Sequence, residues 1–276
     1  MLVILARYPS GMAITITPLG AALGAVVEGV TVDPDHGVDP SVAADLHEAW
    51  HRHLVLFFPQ LALSPAQQVA FARTFGPRIE ATTEAGSDYR NAASLMAEGY
   101  PQLLVLDTDE KLNPATTAQW HTDVTFIDNP PIGSLFSMHI PARTGGDTMW
   151  SNQYRAYERL SSAVKELIGK LSAEHGRPPR TGTAVHPLVK IHPATGQPCL
   201  FVNRGWTNRI VGVSPAENRH LLAMLLEVAE TPELQMRWKW TAGDVALWDN
   251  RCTMHYALND YQGERRRAVR ATIYEN

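Results

Sequence analysis

"QMRWKWTAGDVALWDNRCTMHYALNDYQGERRRAVRATIY", residues 235 to 274, contains three strand-like runs and no helical period. The runs are "QMRWKW" at 235–240, "DVALWD" at 244–249 and "VRATIY" at 269–274. Within the first, "RWKW" alternates apolar and charged residues as a half-exposed strand should. Strands that follow one another without a helix between them pair antiparallel. The same kind of run recurs upstream, as "HLVLFF" at 53–58, "QLLVLD" at 102–107, "GSLFSMHI" at 133–140, "HPLVKIH" at 186–192 and "CLFVN" at 199–203. The pattern predicts a mainly β fold with flanking helices, a sandwich or jelly roll.

Three helix starts are explicit. "SPAQ" at 64–67 and "SPAE" at 214–217 each offer a serine cap, a proline at the first helical position and a Gln or Glu three residues after the cap. "DPSVAADLHEAWHRH" from Asp39 has the cap and the proline. These predict helices over 40–51, 65–75 and 215–229. Residues 79–101 and 108–119 lack a clear period, and "HGRPPRTGT" at 175–183 is rich in breakers. Segments of that kind read as lids or binding loops, or else as disordered chain.

A chain of 276 residues with 45% hydrophobic content is long enough for one substantial core, so residues 1–276 read as a single domain with 1–12 a loose extension. A net charge of -4 gives no overall attraction to nucleic acid or an anionic membrane. The partner expected is a small molecule bound through local charge. Two cysteines, no apolar span of bilayer length and no basic leader before "MLVIL" place the expected site of action in the cytoplasm.

"WHTDVTF" at 120–126 sets His121 and Asp123 two positions apart in a strand-like run. Residues so spaced on a strand leave the same face with Cα atoms about 6.5 Å apart, so both could reach one ion. Alone the pair says little, because eleven histidines and thirteen aspartates in 276 residues make about half such a pair by chance. Its meaning comes from a second cluster, where His255 is followed eleven residues later by Arg266 and fifteen later by Arg270. Two histidines and one carboxylate leave open positions on a metal, which suits non-haem Fe(II) and O2 chemistry, whereas structural zinc closes its tetrahedron. An arginine nearby offers a planar fork to a carboxylate.

In family order the chain carries "VLFFPQLALSPAQQVAFARTFGP", "WHTDVTF", "GGDTMWSN", "HPLVKIHPATGQPCLFVN" and the 248–273 cluster. With these motifs it resembles the taurine dioxygenase family of Fe(II)/2-oxoglutarate-dependent oxygenases, from about Ile14 to the C-terminus. The resemblance implies a double-stranded β-helix (jelly roll) core and an oxidoreductase using Fe(II), 2-oxoglutarate and O2. It implies hydroxylation of a small anionic substrate, an alkylsulfonate such as taurine or an alkylsulfate, with release of succinate and CO2. By position it implies His121, Asp123 and His255 as iron ligands, and Thr148 and Arg266 as the partners of 2-oxoglutarate. Arg270 then holds the substrate anion, and Trp206, Phe126 and Thr117 stand in the substrate wall. A dimer or tetramer is expected by the same resemblance.

Two groups that hold taurine in that family have no counterpart. Residues 79–86 read "IEATTEAG" without a histidine, and Thr117 stands where the family has asparagine. Dioxygenases of aryloxyalkanoates or other carboxylates are the alternative within the family. Outside it stand a zinc hydrolase, which lacks here an "HExxH"-like helix to supply a general base, and a non-catalytic binding protein. His47, His51, His53, His186 and His192 read as helix-face or turn histidines, with His186 the one that could face the site.

Overall fold

The computed structural model describes residues 4–6, 14–81, 96–97, 99–108, 118–261 and 263–275. Thr117 and most of residues 79–101 and 108–119, like most of 1–12, fall outside the described residues. The larger sheet runs, in spatial order, Ile4–Ala6, Ile14–Pro18, Ala25–Glu28, Val55–Phe58, Val245–Asp249, Gly133–Ile140, Arg266–Tyr274, Tyr100–Thr108 and Met96–Ala97. Arg78–Glu80 also pairs with Arg266–Tyr274. One pairing is parallel, between Ala25–Glu28 and Val55–Phe58. There the helix Pro40–His53 lies between the two strands in sequence and supplies the crossover that a parallel pair requires.

A smaller sheet of Gln235–Trp238, Thr148–Asn152 and Thr253–Ala257 faces the larger one, giving the jelly-roll sandwich. The period of two decides what each face buries. Val245 and Leu247 turn to the helical side, where they meet Leu46 and Trp50 of the first helix and Val69 and Phe71 of Pro65–Arg73. Ala246 and Trp248 turn to the interior of the sandwich, packing with Phe57, Phe136, Trp150 and Trp240. Val269, Ala271 and Ile273 likewise face the helices, while Ala268 faces inward with Arg266 and Arg270 on its side of the strand. A strand that feeds both layers has no polar face, which explains why "VALWD" is buried throughout. A third cluster forms beneath Pro215–Ala229, where Leu225 and Ala229 meet Leu200 and Met254.

Both serine capping boxes form, at Ser64 with Gln67 and at Ser214 with Glu217. The three expected helices are Pro40–His53, Pro65–Arg73 and Pro215–Ala229. "HLVLFF" is not strand from its start: His53 ends the helix, Leu54 takes a φ of 65°, and the strand begins at Val55. "HPLVKIH" divides at Leu188 into Thr183–Pro187 and Val189–Ile191, which belong to different sheets. Short strands at Thr148–Asn152, Ser172–Gly176 and Thr253–Ala257 carry weak patterns and were not expected. Among the described residues no helix is long and apolar enough to cross a membrane.

Gly133 opens the central strand where the first helix crosses it. A Cβ there would lie 2.8 Å from the Trp50 ring and 2.9 Å from the Trp248 carbonyl, with no slack on either side. Gly133→Ala should therefore cost about 1–3 kcal/mol through overpacking. A lower urea midpoint with an unchanged m-value is the expected result.

Candidate active site

The site is assembled from stretches far apart in the chain. His255 lies mid-strand in Thr253–Ala257, and His121 joins it through a two-way backbone bridge. His121 N donates to His255 O at 2.9 Å, and His255 N donates to His121 O at 2.7 Å. The bridge sets the two imidazole centroids 4.1 Å apart.

Asp123 arrives differently from the sequence expectation. Residues 120–126 are not a strand, and the same-face argument for His121 and Asp123 does not hold. Residues 123–126 form a turn in which Val124 takes a φ of 51°, and this turn, not a pleat, swings Asp123 toward the two rings. Asp123 Oδ1 lies 3.9 Å from His121 Nε2 and 3.7 Å from His255 Nε2. These separations are too long for hydrogen bonds. They suit donors sharing one ion, since the three ligand atoms lie within 4.8 Å of one another.

The nitrogen chemistry fits a metal. His121 Nδ1 lies 2.8 Å from the Gln119 carbonyl, so it carries the proton and leaves the Nε2 lone pair directed at the group. Among the described residues His255 Nδ1 is buried without a hydrogen-bond partner, and its Nε2 has no approach closer than 3.7 Å to Asp123. A buried imidazole with neither nitrogen hydrogen-bonded is costly, and a cation at Nε2 relieves part of that cost. Burial, reinforced by the neighbouring His121, pushes His255 down to about 3, so it is the neutral, ligating form at neutral pH. Burial pushes the Asp123 carboxyl up, but the Arg270 guanidinium, Nη1 at 3.0 Å from Oδ1, overcomes this and holds it below the usual carboxylate range. Two imidazoles and one carboxylate suit a divalent first-row metal.

The remaining expected residues divide into two groups. Thr148, Arg266 and Arg270 line one cavity with His121, His255 and Trp248. Arg266 and Arg270 point the same way because they are four apart on one strand. Arg265 and Arg267 turn instead to Asp107, at 2.7 and 3.6 Å. Arg266 is 8% exposed, donates through Nε to the Gly146 carbonyl at 3.2 Å and lies over the Phe136 and Tyr261 rings. Gly146 explains the second glycine of "GGDT", since a Cβ there would approach Arg266 Cδ to 3.3 Å. Among the described residues Arg266 has no carboxylate in ion-pair range, so a buried guanidinium faces the cavity ready for an anionic guest. Thr148 Oγ1 accepts from Trp240 Nε1 at 3.0 Å.

Phe126 and Trp206 form an edge-on pair, centroids 4.8 Å apart, but neither lines that cavity. The segment carrying Trp206 packs closely against the site, because a Cβ on Gly205 would lie 2.7 Å from His121 Cβ. His186 does not face the site. Its Nε2 meets the Thr125 carbonyl at 2.8 Å, and His175 Nδ1 meets Thr125 Oγ1 at 2.9 Å, so two buried histidines brace the turn that carries Asp123. Sequence reasoning missed His175, Gly205, and the Ser134 and Asn250 that touch Asp123; nothing in their local pattern marks them. A second buried group, His192, Asp249 and Cys252, also has metal-capable atoms. Asp249 there is filled by Arg251, at 2.8 and 2.6 Å, and by His192 at 3.0 Å, so the guanidinium stands where a cation would.

Against known proteins, residues 15–272 match the family model described as taurine catabolism dioxygenase TauD, TfdA family. An α-ketoglutarate-dependent sulfate ester dioxygenase from Pseudomonas putida is 32% identical, over 98% of this chain and 92% of the relative. An (S)-phenoxypropionate/α-ketoglutarate dioxygenase from Sphingobium herbicidovorans is 34% identical, over 89% of each chain. The crystal structure of a taurine dioxygenase from Burkholderia xenovorans superposes with a TM-score of 0.81 at 36% identity, covering 95% of this chain and 91% of that one.

The bracing histidines predict a pH dependence. Burial, then the charges of His186 and Lys190, push His175 down to about 3, whereas an unfolded histidine titrates near about 6.5. Between those values the unfolded chain holds the extra proton, so folding stability declines as pH falls through that window, by about 1.4 kcal/mol per pH unit for each such group. Urea midpoints of metal-free protein should fall from pH 7 to pH 5, and His175→Gln should show a slope shallower by about one proton.

Proposed function

We propose, from the premise that this chain belongs to the TauD, TfdA family and is an Fe(II)/2-oxoglutarate-dependent dioxygenase, that His121, Asp123 and His255 hold its ferrous ion. Thr148 and Arg266 receive the far carboxylate of 2-oxoglutarate, and Arg270 faces the anionic head of the substrate. The observation that carries this reading is the convergence of the two imidazoles, Thr148 and two buried arginines on one cavity, with Asp123 in contact with Arg270. Ferrous ion bound there supplies the O2-driven oxidation of 2-oxoglutarate to succinate and CO2, coupled to hydroxylation of a substrate carbon.

The chain's own part is to bind, orient and keep water out. Arg266 keeps its charge even when desolvated, as lysine would not, so its fork can hold a dicarboxylate at fixed depth. Thr148 adds a hydroxyl whose orientation is set by Trp240. Trp150, Trp240 and Trp248 wall the cavity with indole surface that excludes water and strengthens each charge interaction inside. Arg270 keeps Asp123 ionised and presents positive charge beside the reacting position. Phe126 and Trp206 belong, in this reading, to the outer substrate wall.

The substrate class is a small organic anion with an oxidisable carbon near its charge. An alkyl sulfate ester is the favoured member, and relatives acting on sulfate esters and on phenoxypropionate support an anion of either kind. Hydroxylation of the carbon bearing a sulfate ester gives a species that separates into an aldehyde and sulfate. The reading includes one catalytic domain over residues 1–276 and a homodimer or homotetramer. It includes a cytoplasmic setting, which the two buried, unpaired cysteines support.

Anaerobic addition of Fe(II) and 2-oxoglutarate should give a visible metal-to-ligand charge-transfer band, absent in His255→Ala. Arg266→Ala should raise the 2-oxoglutarate concentration for half the band by about tenfold or more, as loss of a charge-assisted pair implies. Arg270→Ala should keep the band yet weaken substrate-stimulated succinate release from alkyl sulfates, alkylsulfonates and aryloxyalkanoates. Stimulation by uncharged compounds alone would remove the anion assignment.

A further inference from the structure

The two oxygens of Asp123 live in different surroundings. Oδ1 faces His121, His255 and Arg270, at 3.9, 3.7 and 3.0 Å. Oδ2 faces away from them and accepts from Ser134 Oγ at 2.8 Å, with Asn250 Nδ2 at 3.4 Å. Asn250 Nδ2 also lies 3.3 Å from Ser134 Oγ. The orientation of that amide is not arbitrary. Trp248 Nε1, which can only donate, lies 3.0 Å from Asn250 Oδ1, so the amide nitrogen must turn to the carboxylate.

The frame behind these donors is rigid. Ser134 sits on the Gly133–Ile140 strand, paired with Trp248 on one side and Thr272 on the other. Asn250 follows directly on Val245–Asp249, and its backbone N–H bonds to the Ile132 carbonyl at 3.0 Å. Asp123, Ser134 and Asn250 are each no more than 1% exposed, so bulk solvent does not reach Oδ2.

We propose that Ser134 and Asn250 are positioning residues that hold Asp123 in one-toothed coordination, and so keep a third position on the metal open. The inference rests on the iron reading above. Two imidazoles and a single carboxylate oxygen would leave a divalent ion three open positions, enough for the chelating end of 2-oxoglutarate and for oxygen. A carboxylate bound through both oxygens would take the last of these. With Oδ2 tied to a hydroxyl and an amide, its rotation toward the metal requires breaking buried hydrogen bonds. Outer partners of metal ligands commonly shift affinity or activity by about 10–100-fold.

The test uses nitric oxide as a surrogate for oxygen. Wild type, Ser134→Ala and Asn250→Ala are loaded anaerobically with Fe(II) and 2-oxoglutarate, and nitric oxide is titrated while the electron paramagnetic resonance signal of its iron adduct is followed. Expected is a rise of about tenfold or more in the half-saturation for nitric oxide, larger than any change in that for Fe(II). Nitric oxide binding equal to wild type in both variants overturns the proposal. So does a loss of Fe(II) affinity as large as the loss for nitric oxide, which marks a general loosening of the ligand. If Ser134→Ala does not fold, Asn250→Ala decides alone. A wild-type protein that shows no charge-transfer band with Fe(II) and 2-oxoglutarate overturns the iron reading itself, and this inference with it.

Discussion

Two backbone hydrogen bonds between His121 and His255 hold the candidate site together. They tie a loop to a strand more than a hundred residues away, and they do so through main-chain atoms, so ring placement does not depend on side-chain rotamers alone. Everything else is arranged around that bridge. The 123–126 turn brings Asp123 up to the paired rings, and Thr122 Oγ1 anchors the same loop to the Thr253 carbonyl at 2.9 Å. Behind it His175, His186 and Asn203 gather on Thr125, a buried polar cluster in which each imidazole has a hydrogen-bond partner. Such a cluster orders one conformation only when its members are satisfied, and here they are.

The second constraint is the pleat of the Arg266–Tyr274 strand. Alternation puts two arginines inside the sandwich and turns Val269, Ala271 and Ile273 to the helical layer. Bringing a guanidinium into such an interior is expensive unless it meets an anion. Arg270 meets Asp123, and Arg266 meets carbonyl and ring faces but no carboxylate among the described residues. The fold therefore stores positive charge at the depth where a dicarboxylate and an anionic substrate fit the proposed chemistry. The same sandwich surrounds it with indole, so an ionic interaction formed there is shielded little by water.

These features also separate Asp123 from the buried Asp249. Asp249 is closed off by Arg251 and His192 and acts as a tie between the end of its strand and the loop after Val189–Ile191. Asp123 keeps one oxygen directed at two imidazoles. The difference lies in whether a guanidinium takes the carboxylate in a two-bonded grip or touches a single oxygen.

Much of this was legible in the residues. Serine caps with proline and Gln or Glu placed two helices, because those interactions are local, and short apolar runs placed the central strands. Motif order along the chain pointed to His121, Asp123, His255, Thr148, Arg266 and Arg270 as a set. What the pattern could not show was how distant pieces meet. "WHTDVTF" has strand-like composition yet forms a turn, since the bridge to His255 and the bracing of Thr125 are contacts across the fold that outweigh local preference. Phe126 and Trp206 are apolar residues whose side of the site depends on loop packing, and Ser134 and Asn250 are ordinary polar residues until a carboxylate is brought against them. Sequence alone determined which chemical groups are present, in what order, and where the capped helices begin, because those follow from composition and near-neighbour contacts. Only tertiary structure decided which oxygen of Asp123 meets which partner, because that depends on distances between segments the chain brings together only when it folds.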